Sequence, residues 1–231
     1  MRVDIGIIGA LSEEVEGLIS KMDSHACELV GAIEFHTGVL SGKSIAVAKC
    51  GVGKVFAAMC AEAMIIRYSP SLIINTGVGG ALDSQLSTGD IVIADKLCQH
   101  DMDTSPLGDP KGLISGINVI YMHSDERAIK LLMNAGERLS CRVSRGTVAS
   151  GDKFIACKSE KDRIVGEFGA IACEMEGAAI AQVAYVNKTP FVVVRAISDS
   201  ADGEATMDYM TFLPIAAERS AGLTLDLIKN Y

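Results

Sequence analysis

Three carboxylates stand just after three apolar segments of this 231-residue chain, and their positions indicate a common site. Glu14 follows the apolar residues 3–9, Glu176 follows a short strand-like segment, and Asp199 follows residues 190–197. If these segments are strands of one α/β sheet, their carboxyl ends share the edge where ligands bind. Two acids that flank a glycosidic bond can hydrolyse it, because one activates water while the other protonates the leaving group. The three acids therefore predict a hydrolytic site for a bond to a sugar.

Each acid also has an ordinary structural interpretation, which the sequence leaves open. Glu14 suits the first turn of a helix, where the helix dipole favours negative charge, and Glu176 suits a helix cap. In the catalytic interpretation, Glu176 accepts hydrogen bonds from two adjacent sugar hydroxyls, since a carboxylate only accepts. Asp199 suits a solvated loop. Burial at the end of an apolar strand, beside Ser198 and Arg195, would instead favour its protonated form and suit it to donate a proton.

The glycines and histidines do not predict a cofactor. The segment IGIIGA at residues 5–10 has two of the three glycines of a dinucleotide fingerprint, but both lie inside the strand. The segment GVGG at residues 77–80 predicts a loop whose N–H groups can face a ligand, although tight turns use the same residues. Metal-ligand spacing is absent among the four histidines, which are His25, His36, His100 and His123. We therefore predict neither a metal ion nor a cofactor.

These residues need a scaffold of strands and helices in alternation. Apolar runs predict strands at residues 3–9, 33–40, 44–50, 71–76, 90–94, 142–149, 170–173 and 190–197. Helices are predicted from Ser12, as an N-cap, and at residues 54–68, 124–139, 159–168, 175–186 and 208–229, with Pro214 either delaying the start of the last or kinking its first turns. Continuous apolar strands that alternate with helices predict a three-layer α/β/α fold around a mixed, mostly parallel twisted sheet. No linker interrupts the pattern, so we predict a single domain over residues 1–231.

The composition excludes several classes of protein. The net charge of -8, the 5% aromatic content and the absence of Trp argue against nucleic-acid binding. The longest uncharged runs, residues 68–82 and 112–124, are too short to span a membrane. The first residues, MRVDIGIIG, lack the features of a secretory signal peptide. Seven cysteines without a C-x-x-C pair indicate reduced thiols, which are typical of a cytoplasmic protein.

Seven segments, in order along the chain, resemble the 5'-methylthioadenosine/S-adenosylhomocysteine nucleosidases of the nucleoside phosphorylase superfamily. They are IGIIGALSEEV (5–15), CGVGKV (50–55), IINTGVGG (73–80), GDIVIAD (89–95), SGDKFI (150–155), CEMEGAAIA (173–181) and PFVVVRAISDSAD (190–202). The last two are the most specific. The resemblance, and not the composition, implies cleavage of the bond between adenine and ribose.

The resemblance implies catalytic roles for particular residues. Glu14 corresponds to the base that activates the attacking water. Asp199, held by Ser198, corresponds to the acid that protonates N7 of the leaving adenine, and Arg195 lies near the water and the acids. Val78 departs from the serine that some members place near the catalytic water.

The resemblance also implies how the substrate is bound. Met175 and Glu176 match the ribose contacts, with Glu176 holding the 2'- and 3'-hydroxyls. Phe154 would stack on the purine, and the backbone of Ile155 would hydrogen-bond to its edge. Two further residues would line the pocket, Gly80 and Val52.

The implied ligands are adenine nucleoside thioethers, and the implied assembly is a homodimer. In that dimer, the loop from His100 to Gly116 of one copy completes the site of its neighbour. Three alternatives stay open: a purine nucleoside phosphorylase, an aminodeoxyfutalosine hydrolase of the same fold, and a nucleoside-binding protein without activity. Acids after the first strand favour water over phosphate, because a phosphate site needs arginines and repels carboxylates.

Overall fold

A computed structural model describes residues 2–201 and 205–231, so that Asp202, the last residue of the 190–202 motif, lies outside it. The strands of the described chain are β1 (Ile5–Gly9), β2 (Asp23–Val30), β3 (Ile33–Leu40), β4 (Lys43–Lys49), β5 (Leu72–Ala81), β6 (Ile91–Gln99), β7 (Met122–His123), β8 (Val143–Ser150), β9 (Ala170–Glu174) and β10 (Phe191–Asp199). The α-helices are α1 (Ser12–Ile19), α2 (Lys54–Tyr68), α3 (Glu126–Arg138), α4 (Lys158–Phe168), α5 (Gly177–Val186) and α6 (Ala205–Asn230). A short 3-10 helix covers Ser105–Leu107.

All the strands belong to one sheet, in the order β10-β6-β8-β9-β5-β1-β4-β3-β2, with β7 beside β6. Because β5 also pairs with β10, the strands β10, β6, β8, β9 and β5 close into a ring. Parallel pairs join β1 to β4 and β5, and antiparallel pairs add β3 and β2 at the outer edge. The predicted mixed α/β sheet is therefore confirmed.

Helices cover both faces of the sheet, as the apolar strands require. One face packs against α2 and α5, which contribute mostly alanines and other small residues such as Ala61 and Ala181. The other face packs against α1, α3 and α6 through larger aliphatic residues such as Leu18, Leu132 and Leu227. Among the described residues, no helix is long and apolar enough to cross a membrane.

The elements differ from the sequence expectations at two places. Residues 77–80 are not a loop but the second half of β5, because Gly77 to Gly80 pair with β10 on one side and Gly80 and Ala81 pair with β9 on the other. Pro214 does not delay the last helix: α6 begins at Ala205, and Pro214 lies within it.

The structure also contains a strand that the sequence did not predict. β2 is an edge strand whose side chains are exposed or half-exposed along its whole length. It therefore lacks the alternation of apolar and polar residues that identifies a half-buried strand. It pairs with β3, whose alternating pattern does bury Ile33, Phe35 and Thr37.

Candidate active site

A pocket of about 560 Å³ opens at the ends of several strands and is lined by residues from β5, β9 and β10 and from the turns after β1, β4 and β8. Arg195 does not line it and lies behind its wall, with a relative exposure of 2%. The other ten residues predicted for the site all line this pocket: Glu14, Val52, Val78, Gly80, Phe154, Ile155, Met175, Glu176, Ser198 and Asp199.

Glu14 is buried and held by three backbone N–H groups. Its Oε2 accepts hydrogen bonds from Ala10 N (2.6 Å) and Leu11 N (3.0 Å), and its Oε1 accepts one from Val78 N (3.1 Å). The first N–H groups at a helix start lack backbone partners, so a glutamate in the first turn can reach back to them. Ser12, predicted as the N-cap, is instead the first residue of α1, after Leu11.

The environment of Glu14 favours the protonated form more than water does. Burial raises its pKa, although the positive charge of Arg195 and the three N–H groups act in the opposite direction. A carboxylate with a raised pKa is a stronger base than an ordinary glutamate. The geometry thus fixes the carboxylate of Glu14 in the pocket wall, where it is a candidate proton acceptor.

Asp199 is the last residue of β10 and is 3% exposed. Its Oδ2 accepts a hydrogen bond from Ser198 Oγ (2.8 Å), and its Oδ1 accepts one from Ala201 N (2.9 Å). A register shift between Ile197 and Asp199 brings Asp199 opposite Gly80 of β5, and such irregularities re-aim side chains. A Cβ on Gly80 would lie 2.8 Å from Asp199 Oδ1, so only glycine leaves room for this carboxyl group.

Glu176 and Met175 lie between β9 and α5. Glu176 Oε1 accepts a hydrogen bond from Gly53 N (2.7 Å), which links this turn to the start of α2. Burial, and next the charge of Glu174, raise the pKa of Glu176 to about 7. This group is therefore partly protonated near neutral pH, and Met175 lines the pocket beside it.

Glu174 organises this turn, a role that the sequence did not predict for it. It forms a buried ion pair with Arg195, and its Oε2 also accepts hydrogen bonds from Glu176 N (3.1 Å) and Gly177 N (2.7 Å). Arg195 in turn donates to the backbone oxygen of Asn75 on β5 (3.3 Å). The pair thereby connects β5, β9 and β10 behind the pocket. Its only signal in the sequence was an acid two residues before Glu176 and a basic residue inside an apolar strand.

Aromatic side chains occupy the mouth of the pocket. Phe154 is 42% exposed, and its ring meets that of Tyr209 edge to face, with centroids 5.5 Å apart. Burial and the neighbouring acids raise the pKa of Tyr209 to about 12, so its hydroxyl keeps its proton. Ile155 is buried next to Phe154, whereas Val52 is exposed at the rim. Tyr209 was not predicted, because no motif surrounds it on α6.

The charge of the lining is mostly negative. Four carboxylates line the pocket, Glu14, Glu174, Glu176 and Asp199, against one cation, Lys153, which pairs with Glu160. Among the described residues, no group of three or more His, Cys, Asp or Glu side chains converges in this pocket in a metal-binding arrangement. The arrangement is suited to acid–base chemistry and to a substrate that develops positive charge.

Comparisons with known proteins agree with this geometry. Residues 4–229 match the phosphorylase superfamily. The 5'-methylthioadenosine/S-adenosylhomocysteine nucleosidase of Haemophilus influenzae (strain 86-028NP) is 39% identical over 225 residues, which cover 97% of each chain. The crystal structure of the nucleosidase of the same name from Neisseria meningitidis, in complex with methylthio-immucillin-A, superposes with a TM-score of 0.96 at 33% identity, over 99% of both chains.

A structure with a different name is equally similar. The futalosine hydrolase of Helicobacter pylori strain 26695 superposes with a TM-score of 0.95 at 33% identity and covers 99% of this chain and 98% of that one. The fold, the pocket and the full-length relatives lead to one conclusion: the chain is a nucleosidase that belongs to the phosphorylase superfamily and, within it, to the 5'-methylthioadenosine/S-adenosylhomocysteine nucleosidases.

Proposed function

We propose that this enzyme hydrolyses the N-glycosidic bond of 5'-methylthioadenosine, S-adenosylhomocysteine and 5'-deoxyadenosine, releasing adenine and the 5'-substituted ribose. The observation that carries the proposal is the presence of two buried carboxylates, Glu14 and Asp199, in one pocket. Glu14 lies against Gly77 of β5 and Asp199 against Gly80. These glycines are three residues apart, or about 10 Å along an extended strand, and both carboxyl groups line the same pocket.

Glu14 acts as the general base in this mechanism. Its carboxylate is fixed by three N–H groups and has a raised pKa, so it can take a proton from a water molecule directed at the anomeric carbon. The backbone N–H group of Val78 donates a hydrogen bond to Glu14, but its side chain has no hydroxyl group that could hold the water. We therefore assign the orientation of the water chiefly to Glu14 itself.

Asp199 acts as the general acid. Adenine leaves as an anion unless it is protonated, and Asp199 would deliver that proton to N7. Ser198 Oγ fixes one carboxyl oxygen and Ala201 N fixes the other, which limits the side chain to one orientation. General acid catalysis of this kind contributes about 10² to 10⁴ in rate.

The remaining lining residues bind the two halves of the nucleoside. Glu176 accepts hydrogen bonds from the 2'- and 3'-hydroxyls of the ribose, and Met175 packs against the sugar. The negative charges nearby stabilise the positive charge that develops on the ribose in an oxocarbenium-like transition state. Phe154 stacks on the purine, and the backbone of Ile155 hydrogen-bonds to its edge.

The charges of the pocket favour water over phosphate as the nucleophile. A phosphorylase needs cations for its phosphate, but the guanidinium of Arg195 is already paired with Glu174 behind the wall. A phosphate placed beside Glu14 would also be repelled. An aminodeoxyfutalosine hydrolase is the second candidate, favoured by the similarity to the Helicobacter pylori futalosine hydrolase.

We further propose that two copies of the chain form a dimer in which each loop at residues 100–116 covers the partner's pocket. Every residue of this loop is described, and none lines the pocket of its own chain. Leu107 in the loop is 84% exposed, and Val55 and Met59 form part of an exposed apolar face of α2. Sedimentation velocity should detect the dimer, and Met59→Asp should weaken it and raise KM. A fully active monomer would contradict this assembly.

The activity is tested by measuring adenine release from the three nucleosides, side by side with aminodeoxyfutalosine, in phosphate-free buffer. We expect release of adenine without phosphate; a strict requirement for phosphate would refute the hydrolase. Preference for aminodeoxyfutalosine would establish the second candidate instead.

Two variants test the roles of the acids. Glu14→Gln should abolish turnover while nucleoside binding survives, and Asp199→Asn should lower kcat by about 10² to 10⁴, with the fold intact. Unchanged turnover in either variant would place that catalytic group elsewhere. A protein that only binds nucleosides would release no adenine at all.

A further inference from the structure

A second cluster of chemically active side chains lies on the ribbon formed by β2 and β3, away from the nucleoside pocket. Cys27 is paired with His36 in the register of the two strands, and Leu29 is paired with Glu34. Glu34 and His36 alternate with the buried residues of β3 and therefore point to the opposite face of the sheet. None of these residues lines the pocket or has a role in the proposed reaction.

The side chains converge closely enough to share one ion. One potential ligand atom each from Cys27, Glu34 and His36 lies within 4.8 Å of the others. His25 Nε2 is 2.8 Å from His36 Nδ1, and the two rings are stacked with centroids 5.1 Å apart. His25 lies within the register shift between Asp23 and Ala26, and such irregularities re-aim side chains.

The carboxylate of Glu34 forms no ion pair in the described part of the chain. Lys49 pairs with no acid there, and its Nζ donates instead to Ser12 Oγ (3.2 Å). The thiol of Cys27 donates to the carboxylate of Glu34, with Sγ 3.9 Å from Oε1. The cluster thus presents a thiol, a carboxylate and two imidazoles to one volume of solvent.

We propose that Cys27, Glu34 and His36 bind a zinc ion, with His25 turning into the fourth position. Thiolate and imidazole are the donors that zinc prefers, whereas magnesium and calcium require oxygen ligands. Four ligands from two adjacent strands match the tetrahedral coordination of a structural zinc site. The ion would join the outermost edge strand to its neighbour.

Binding requires a simple exchange of protons. The thiol of Cys27 releases its proton to solvent when sulfur bonds to the ion, and each imidazole binds through a nitrogen without a proton. If the two imidazoles bind through the nitrogens that now face each other, their separation must open from 2.8 Å. Tetrahedral ligands at the usual Zn–N distance are roughly 3.3 Å apart, so the separation of these two nitrogens must grow by about 0.5 Å. His25 is exposed and can make this movement.

The test uses the intact protein, with Zn²⁺ and Co²⁺ as probes. Titration of Zn²⁺ against a chromophoric chelator should give one equivalent bound per chain. Co²⁺ should produce a sulfur-to-metal charge-transfer band, because Cys27 is a ligand. Cys27→Ser should abolish the band and weaken zinc binding at least tenfold, and His36→Ala should weaken it similarly.

Matched controls exclude binding elsewhere. Cys157→Ser removes another exposed thiol, and His123→Ala another exposed imidazole, so both variants should bind zinc like the wild type. Adenine release by Cys27→Ser should be unchanged, which shows that its fold is intact. Absence of the cobalt band, or a band or stoichiometry that persists in Cys27→Ser, would overturn the proposal, and neither result would affect the nucleosidase assignment.

Discussion

Gly77 of β5 provides a way to move the proposed general base without changing it. A Cβ at this position would lie 2.5 Å from Glu14 Oε1 and 2.9 Å from its Cδ, and its three nearest neighbours are all atoms of that carboxyl group. Gly77→Ala therefore acts selectively on Glu14. The backbone of residue 77 is that of an ordinary strand, so alanine itself is tolerated there.

The size of the effect follows from the distances. Ordinary contact begins at 3.4 Å, so Glu14 Oε1 must retreat by about 0.9 Å, away from the N–H group of Val78 that it now meets at 3.1 Å. A misplacement of about 1 Å costs roughly 10²-fold in rate, which corresponds to about 2.7 kcal/mol. The lost hydrogen bond costs about 1–3 kcal/mol of stability, offset by about 0.5–1 kcal/mol from replacing glycine within a strand.

The assay is steady-state adenine release, with the melting temperature measured alongside. We expect kcat/KM of Gly77→Ala to fall about 100-fold, while the protein stays folded. In a Glu14→Asp background the side chain is shorter and the added methyl group meets less of it. There the same substitution should cost less than about fivefold, because effects that act through a shared contact are not additive.

Gly17→Ala is the matched control. It adds the same methyl group to α1, on the same helix as Glu14, where a Cβ would meet nothing within 4 Å. We expect its activity to equal that of the wild type. If Gly77→Ala keeps its activity within about threefold, or loses 100-fold in both backgrounds, the position of Glu14 does not limit the reaction.

Four further predictions concern the acids of the pocket. Ser198→Ala removes the 2.8 Å hydrogen bond to Asp199 and should lower kcat roughly tenfold with little change in nucleoside affinity; an effect on KM alone would contradict a role in orienting the acid. The pKa of Glu176 is raised to about 7, and only the ionised carboxylate accepts hydrogen bonds from both ribose hydroxyls. KM should therefore fall as pH rises through about 7, and Glu176→Gln should flatten that profile. The raised pKa also affects stability, because the unfolded chain loses the Glu176 proton at a lower pH than the folded chain does. The free energy of unfolding should therefore fall as pH rises from the ordinary pKa of glutamate to about 7. Denaturant titrations of the wild type and of Glu176→Gln test this trend. Glu174→Gln leaves Arg195 buried without its counter-ion and should lower the free energy of unfolding in urea by about 3–5 kcal/mol; a loss below about 1 kcal/mol would mean that the pair contributes little.

The sequence predicted those features that depend on local pattern. The apolar strands and the acids that follow them led to an α/β fold with a site at one edge of the sheet, since alternation and capping are properties of neighbouring residues. Glu14 and Asp199 were singled out because each follows an apolar run. The family resemblance then supplied residues such as Phe154, which no physical pattern would have selected.

The tertiary structure decided everything that depends on which strands become neighbours. Gly77 to Gly80 have the composition of a loop, but they are strand because β9 and β10 supply partners on both sides. The strand β2 carries no apolar alternation and exists only because β3 offers it an edge. Its pairing brings Cys27 against His36, which lie nine residues apart without metal-ligand spacing. Glu174 meets Arg195 because β9 and β10 both pair with β5, and Tyr209 of α6 meets Phe154 through long-range packing that the residues beside them do not encode.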